Sequence, residues 1–130
     1  MTDFSDALKI AASGMTAQAS RMRFVSENIA NSDTPGYRRK TVDFEQVVTF
    51  GDPSGEVMLG DMQLDRTALD RIYDPSHQLA DGTGHYSGSN VDLLVEIADA
   101  REASRSYEAN LKVFDQVRQM STSLLDLLRK

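Results

Sequence analysis

The chain has 130 residues, of which 40% are hydrophobic, and a formal net charge of −6. This length is typical of one domain with a modest core and is short for two independent domains. Cysteine is absent, which excludes disulfide scaffolds, thiolate zinc sites and thiol catalysis. Residues 32–89 carry 10 acidic and 5 basic groups, so the excess acid lies in the middle. This distribution argues against nucleic acid as the main partner, because phosphate binding needs a clustered positive field.

Glycine and proline divide the sequence into three segments. All 3 prolines and 7 of the 8 glycines lie between residues 35 and 88, and the two ends are almost free of helix breakers. This partition predicts a mainly α fold with a small β insert. The expected architecture is one structural domain in which N- and C-terminal helices form an antiparallel coiled-coil pair, joined by a turn-rich, β-containing segment. The predicted boundaries are 1–31, 32–89 and 90–130.

The N-terminal segment predicts a helix from about residue 4 to residue 30. Asp3 is its expected N-cap, and Thr34 is disfavoured in the α region because it precedes Pro35. Apolar residues recur at helical spacing, which places them on one face. This predicted seam consists of Leu8, Ala11, Met15, Met22, Val25 and Ile29.

The C-terminal segment predicts a helix from about residue 91 to residue 128, with Asn90 as its N-cap. Its seam residues alternate at spacings of three and four, as in a heptad repeat. Asn110 interrupts the seam, and a buried Asn there costs stability but fixes register. The predicted seam consists of Ala103, Tyr107, Asn110, Phe114, Val117, Ser121, Leu124 and Leu128.

The two predicted helices differ in length, roughly 40 Å against 57 Å. Antiparallel pairing then leaves about three turns of the longer helix without an intramolecular partner. That end carries Leu124, Leu125, Leu127 and Leu128, which would be an aggregation hazard if left uncovered. The insert of a monomer, a closed dimer, or head-to-tail contact between copies could cover it, and periodicity does not choose among these.

The middle segment contains weaker signals. The alternation of Val42, Phe44, Val48 and Phe50 with polar residues predicts a half-buried strand, and residues 51–55 predict the turn after it. Residues 56–59 and 62–66 are candidates for further short strands. We therefore expect a small antiparallel sheet or hairpin in the insert.

No set of residues predicts catalysis or cofactor binding. His77 and His85 fit no metal-ligand spacing and are expected to be exposed loop residues, although a small metal-dependent enzyme using both is an alternative hypothesis. The basic run Arg38–Lys40 is interpreted as a solvated face rather than a phosphate site or a contact for an acidic partner. No nucleophile, base and orienting acid show a suitable spacing. The chain is therefore predicted not to be an enzyme and to need no cofactor or metal.

Two groups of motifs carry a family resemblance that spans nearly the whole chain. Residues 12–18 and 26–39 resemble the shared N-terminal motif of bacterial flagellar rod and hook proteins, with the specific residues Asn28, Ile29, Ala30, Asn31, Thr34, Pro35, Gly36 and Tyr37. Residues 73–75 and 79–81 are similar to the FlgC family of proximal-rod proteins. So are Asn90, Val91, Asp92, Arg105, Tyr107 and Asn110. The chain departs from that family at His85, where a tyrosine is usual, and at Ser89, where a proline is usual. The sister FlgB family shares the N-terminal motif only and is the nearest alternative.

The resemblance implies a structural subunit of the flagellar basal-body rod. Such a subunit would polymerise through its terminal helices into the proximal rod, the drive shaft that crosses the periplasm and transmits motor torque. It would be exported by the flagellar type III apparatus without a cleaved signal peptide, and residues 1–6 lack the features of a Sec signal. A soluble coiled-coil adaptor dimer is the alternative of a different class.

The resemblance also implies partners and residue roles. The expected partners are other proximal and distal rod proteins, the rod-to-ring adaptor, the base ring and copies of the same chain. Nucleic acid, direct membrane insertion and a small-molecule substrate are not expected. Asn28 and Asn31 would bond backbone groups at the helix end, Gly36 would supply a positive φ, and Tyr37 would be an anchor with an apolar ring and a polar tip.

Overall fold

The computed structural model describes residues 2–129, which form two long helices and a β-containing segment between them. The helices are α1, Thr2–Ala30, and α2, Leu93–Leu128. The strands are β1 (Lys40–Thr41), β2 (Phe44–Thr49), β3 (Asp52–Leu59), β4 (Gln63–Leu64), β5 (Arg71–Tyr73) and β6 (His85–Ser87). The predicted fold class is confirmed.

The two helices pack side by side and run in opposite directions. Gly14 of α1 lies against Asn110 of α2. Nearer the other end of the pair, Asn28 of α1 bonds to Glu96 of α2. Residue numbers therefore rise along α1 as they fall along α2, which is the antiparallel arrangement predicted from the sequence.

Small residues, rather than large apolar ones, form the closest contact between the helices. The buried hydrophobic residues within the described part of the chain are Ala11, Ala17, Val25 and Ala103. A Cβ atom added to Gly14 would lie 2.7 Å from Nδ2 of Asn110, so the two backbones approach closely at this point. The helices are thus held at short range over a core that contains little apolar volume.

The two predicted seams differ in how deeply their residues are buried between the helices. On α2, the seam from Ala103 to Ser121 is buried or half-buried. On α1, the most buried positions are 11, 14, 17, 25 and 28, whereas Leu8, Met15, Met22 and Ile29 are only half-buried. Positions 11, 14, 25 and 28 follow the three-and-four spacing of a heptad, which accounts for the shift of the facing stripe.

Both predicted N-caps are wrong. Asp3 lies inside the first turn of α1, because that helix already begins at Thr2. Asp92 caps α2, accepting a hydrogen bond of 3.0 Å from the backbone N–H of Leu94. Asn90 is used elsewhere, and Asp92 stands closer to the first helical turn, where its oxygen reaches the free N–H groups.

The C-terminal end of α2 extends beyond its partner helix. Since Gly14 is level with Asn110, the start of α1 is level with about residue 122, which leaves about two turns of overhang rather than the three predicted. The overhang is shorter because α1 begins earlier and α2 later than expected. Leu127 and Leu128 are 68% and 73% exposed there. The insert does not cover these leucines.

The accessible surface is large for the size of the chain. It measures 9197 Å², whereas a compact monomer of 14.4 kDa would expose about 6,800 Å². The difference, roughly 2,400 Å², exceeds the total area that a standard protein–protein interface buries. A single copy therefore buries far less of its own surface than a compact globular domain does.

The longest strand pair is the antiparallel hairpin β2–β3. Its turn consists of Phe50 and Gly51, at φ 53° and φ 89°, so the predicted turn at 51–55 is wrong. Two positive φ values match the twist of the flanking strands, and Gly51 adopts this conformation without strain. The predicted half-burial is also wrong for Phe44, Val48 and Phe50. They are exposed because no second sheet layer covers the hairpin within residues 2–129 and a bulge precedes Val48.

The hairpin lies along α1 with its tip toward the start of that helix. Val57 donates its backbone N–H to Oγ of Ser13 at 3.1 Å. Further toward the tip, Ile10 packs under Gly55. β3 therefore lies nearer the start of α1 at its tip end than at its far end. The tip lies at the same end of the molecule as the overhang of α2.

Two further strand pairs complete the insert. β1 pairs with β4, which falls within the predicted strand at 62–66. β5 pairs with β6, a hairpin that was not predicted from the sequence. Its long connection is ordered by aromatic contacts, since the His77 and Tyr86 rings stack with centroids 3.8 Å apart. The prediction of exposed histidines is wrong, because His77 and His85 are both half-buried.

We predict that Phe50→Asn stabilises the isolated chain by about 1 kcal/mol, because Asn tolerates the left-handed region and a phenylalanine does not. Urea unfolding followed by circular dichroism measures the difference. The matched control is Val48→Asn, which replaces an exposed apolar residue of the adjoining strand β2 at ordinary φ and should give no gain. Equal stability of the Phe50→Asn variant and the unaltered chain would contradict the prediction.

Candidate functional site: the polar junction of the helices

Asn28 lies at the centre of a buried polar junction near the end of α1 and is only 1% exposed. Its Oδ1 accepts hydrogen bonds from the Lys40 backbone N–H and the Tyr37 hydroxyl, each at 2.9 Å. Its Nδ2 donates to the Lys40 carbonyl at 2.9 Å and to Oε2 of Glu96 at 3.3 Å. One amide therefore joins α1, the chain at residue 40 and α2.

Glu96 supplies a fully buried carboxylate in the first turn of α2. Besides the bond from Asn28, its Oε1 accepts a hydrogen bond from Nε of Arg39. The same guanidinium donates from Nη2 to Asp99 at 3.0 Å. Burial acts to lower the pKa of Arg39, but the Glu96 and Asp99 carboxylates outweigh it and raise that pKa. Arg39 is thus fixed as a cation inside the junction.

Asn90 connects the junction to the loop before α2. Its Oδ1 accepts the Arg39 backbone N–H at 2.6 Å. Its Nδ2 donates to the carbonyl groups of Asp65 and Thr67 at 2.9 and 3.2 Å. Arg38 donates from Nη1 to the same two carbonyls. The residue predicted to be a helix cap instead fastens two loop segments beside the start of the helix.

The turn that follows α1 is built around the motif residues of this segment. Asn31 donates from Nδ2 to the Glu27 carbonyl at 2.8 Å, and Gly36 has φ 75°. The Gly36 N–H donates to the carbonyls of Ser87 and Gly88, which ties this turn to β6. Burial of the Tyr37 side chain raises the pKa of its hydroxyl, which donates to Asn28. These motif residues thus make their contacts within the chain.

The interpretation of Arg38–Lys40 as a solvated face is wrong. Arg38 and Arg39 are bonded within the junction, and Lys40 forms an ion pair of 2.8 Å with Glu27. This contact raises the pKa of Lys40 and lowers the pKa of Glu27, mainly through the hydrogen bond between them. The three basic residues bond to groups of the same molecule because the chain after α1 folds back along both helices.

The remaining motif residues lie outside the junction. Ile29 and Val91 are half-buried, Ala30, Thr34 and Pro35 are exposed, and Asp92 caps α2. Tyr107 and Asn110 belong to the face of α2 that meets α1, whereas Arg105 is exposed on the same helix. The structure therefore brings together Asn28, Tyr37 and Asn90 and leaves Arg105 apart.

Comparison with known proteins identifies the family of this arrangement. Residues 8–38 match the family profile described as flagella basal body rod protein, and residues 83–127 match the flagellar basal body rod FlgEFG protein C-terminal profile. The flagellar basal-body rod protein FlgC of Agrobacterium fabrum is 44% identical, over 99% of this chain and 98% of its own length. The chain belongs to the FlgC family.

More distant FlgC family members cover the chain almost as fully. The protein named FlgC from Aquifex aeolicus is 38% identical over 92% of this chain and 93% of its own length. That of Escherichia coli O6:H1 is 35% identical over 91% and 92%. The similarity spans the junction and both helices, and the FlgB alternative is not favoured.

The two departures noted in the sequence have defined places in this FlgC family member. Ser89 is buried and its hydroxyl donates to the Ser32 carbonyl just after α1. His85 faces the Tyr73 ring, with centroids 5.1 Å apart. The Ser89 contact joins the two halves of the chain, and the His85 contact crosses the β5–β6 hairpin.

Glu96 and Arg39 are the junction residues that sequence reasoning missed. Glu96 is an apolar-face position of α2, seven residues before Ala103, occupied by a carboxylate. A charged residue on a predicted seam requires a buried partner, and the basic run was the available source. A carboxylate at a seam position is therefore the signal in the amino-acid sequence that could have paired the two segments.

The described residues contain neither a metal-ligand cluster nor a membrane-spanning helix. Over residues 2–129, no three His, Asp or Glu side chains converge on one point. Neither α1 nor α2, within that range, contains a stretch apolar enough to cross a bilayer.

We predict that Glu96→Ala destabilises the chain by about 3 kcal/mol, because removing one partner of a buried ion pair leaves the other charge uncompensated. Urea unfolding followed by circular dichroism measures this loss. Glu108→Ala is the matched control, since Glu108 is an exposed carboxylate on the same helix. If both variants unfold at the same urea concentration, the junction does not have the structural role described.

We predict that Asp81 titrates near pH 2 in the folded chain. Hydrogen bonds from the Thr83 hydroxyl and from the backbone N–H groups of His85 and Thr83 lower the pKa of Asp81 from 3.8 to about 2. Because the folded pKa is depressed, the charged carboxylate supports this loop above pH 4, and that support is lost as the pH falls toward 2. The amide chemical shifts of Thr83 and His85 should follow this midpoint and lose it in Asp81→Asn, but not in Asp61→Asn. A midpoint near 3.8 would contradict it.

Proposed function

We propose that the chain is a structural, non-catalytic subunit of the proximal rod of the bacterial flagellar basal body. In this role it polymerises through its terminal helices with copies of itself and with other rod proteins, and transmits motor torque. Membership of a family whose members are named flagellar basal-body rod proteins supports the role. The single observation that carries it is the uncovered apolar surface at the ends of the helix pair.

That surface is present at both ends of α2. At the C-terminal end, Leu127 and Leu128 extend past α1 into solvent. At the N-terminal end, Leu93 and Ile97 are exposed, and Leu94 is 80% exposed. Contiguous apolar patches of this kind mark interaction sites in soluble proteins. Contacts at two distinct surfaces, rather than one, suit a subunit with neighbours on both sides.

The predicted self-assembly seam is part of this proposal. Its inner members pack within the chain, where Tyr107, Phe114 and Val117 are half-buried against α1. Its outer members, Leu124 and Leu128, pack against neighbouring subunits. Half-buried Leu8, Met15 and Met22 form a second edge open to a neighbour, because they flank the contact between α1 and α2.

Location and route follow from the same role. The chain reaches the periplasmic rod through the flagellar type III apparatus without a cleaved signal peptide. Its partners include distal rod proteins, the rod-to-ring adaptor and the base ring. The small buried core supports such export, because a chain with little apolar volume in its core costs little to unfold before passage.

The test replaces the native gene with a Leu127→Gln/Leu128→Gln variant in the bacterium that carries it. We expect loss of motility and absence of the chain from purified basal bodies, because two exposed leucines of the contact surface become polar. The matched control is Leu79→Gln, a similarly exposed leucine in the β5–β6 connection, and this variant should swim normally.

Sedimentation separates this function from the alternative of a soluble adaptor. A rod subunit shows weak, concentration-dependent association and gains helix on assembly, whereas an adaptor forms a closed dimer that never elongates. Normal motility of the leucine variant, or a stable closed dimer of the unaltered chain, would refute the proposal.

A further inference from the structure

The outer face of α1 has no partner in its own molecule. α2 packs on one side of this helix and β3 on another. Lys9, Thr16 and Ala19 are exposed on the remaining side, where they recur with Ala12 at spacings of three and four. An open groove of about 470 Å³ lies on this face, with Ala12, Thr16, Ala19 and Tyr107 in its lining. This side of the helix is therefore free to meet another molecule.

Charged residues on this part of α1 are few. Residues 4–20 contain one acid and one base, Asp6 and Lys9, three residues apart. Both are exposed, and neither takes part in an ion pair within residues 2–129. A surface that fits here must therefore be mostly uncharged and carry one base and one acid at one end.

The overhanging end of α2 has this composition. Residues 119–129 contain one acid and one base, Asp126 and Arg129, which are also three residues apart. Both are exposed, and neither forms an ion pair in the described part of the chain. Leu125 and Leu127 beside them are 41% and 68% exposed. This end of α2 is thus an apolar surface with two unneutralised charges.

The two pairs of charges match in one direction only. When the helices run antiparallel, Arg129 lies opposite Asp6 while Asp126 lies opposite Lys9. A parallel alignment would instead place carboxylate against carboxylate and base against base, which is repulsive. In the antiparallel alignment Leu125 lies within one helical turn of Ala12, at the end of the groove.

This match cannot form within one molecule. Because Gly14 is level with Asn110, Lys9 is level with residue 115 of its own α2. Asp126 stands eleven residues farther along that helix, or about 17 Å. The charges therefore meet only between two copies that are displaced by about 17 Å along the helix axis.

We propose that the overhanging end of α2 of one copy docks antiparallel on the outer face of α1 of a second copy. This inference rests on the proposed function and specifies what covers the end of α2. A second copy is the occupant because one chain supplies both matched pairs of charges. The surface is also sufficient, since the chain exposes roughly 2,400 Å² more than a compact monomer, and a standard interface buries about 1,600 Å².

The contact keeps both copies in the same orientation. α1 and α2 are antiparallel within each copy, so an antiparallel contact between copies aligns the two molecules. Farther along the helices Arg23 would face Lys112, and these like charges make the two helices cross rather than run side by side. The contact is therefore confined to the overhang. Because each copy is displaced along the axis, the contact repeats as an open series and does not close into a ring.

Disulfide cross-linking in the native rod tests the contact, because the chain has no cysteine of its own. Ala12→Cys and Thr122→Cys are introduced together in the full chain, in place of the native gene. Within one copy these positions are about 15 Å apart along the helices, which is beyond the reach of a disulfide. Purified basal bodies should contain a disulfide-linked dimer of the chain.

Two controls define the geometry of this cross-link. The pair Ala30→Cys/Thr122→Cys should give no dimer, since Ala30 is an exposed residue of α1 about 27 Å farther along that helix. Ala12→Cys alone and Thr122→Cys alone should give none either, because the contact joins two different surfaces.

Charge exchange in the double-cysteine background tests the partners. Lys9→Asp should lower the dimer yield about tenfold or more, and adding Asp126→Lys should restore it. Arg66→Asp, which reverses an exposed base of the insert, should leave the yield unchanged.

The outcomes separate this inference from the proposed function. Basal bodies that contain the double-cysteine chain but no dimer would overturn the inference and leave the proposed function standing. So would a disulfide between either single-cysteine variant and another rod protein, because that protein would then be the occupant. Basal bodies of the unaltered strain that lack the chain would overturn both.

Discussion

The structure depends on the buried contact among Asn28, Glu96 and Arg39. A carboxylate without solvent access is tolerable only when its charge and its acceptors are satisfied, and here one guanidinium and one amide satisfy it. The three residues come from α1, the returning chain and α2, so their bonds can form in one alignment only. The register of α1 against α2, the reversal of the chain after α1 and the start of α2 are therefore determined at the same point. The rest of the helix pair keeps the alignment that this contact fixes.

That arrangement explains why the interior can be so poor in apolar volume. Ala11, Ala17 and Ala103 bring the helices close without filling much space, and the large leucines of α2 are left for the outside. A globular monomer would place them inward, because burial of a leucine contributes about 2 kcal/mol. Their outward placement transfers that free energy from folding to assembly. The chain can be weakly stable alone and rigid among its neighbours.

The sequence predicted the parts of this fold that depend on local chemistry. Breaker-free ends indicated both helices, and the Pro35–Gly36 turn required the positive φ that Gly36 has. Prediction from the sequence failed where a contact between residues far apart in the chain determines the structure. Arg39 looked like a surface cation, because Glu96, its partner, is fifty-seven residues away. The hairpin turn was misplaced because Phe50 occupies a position that local propensity assigns to Asn or Gly. Of the junction, the sequence singled out Asn28, Tyr37 and Asn90, and it assigned Asn90 the wrong role.

The carboxylates of the β2–β3 hairpin oppose pairing of its open edges with those of another copy. A two-stranded sheet exposes unpaired backbone groups along its edges and can pair with any similar edge. Two such hairpins both bear several carboxylates and no base between residues 41 and 63, so they repel each other. Repulsion between like hairpins thus disfavours edge-to-edge pairing of two copies.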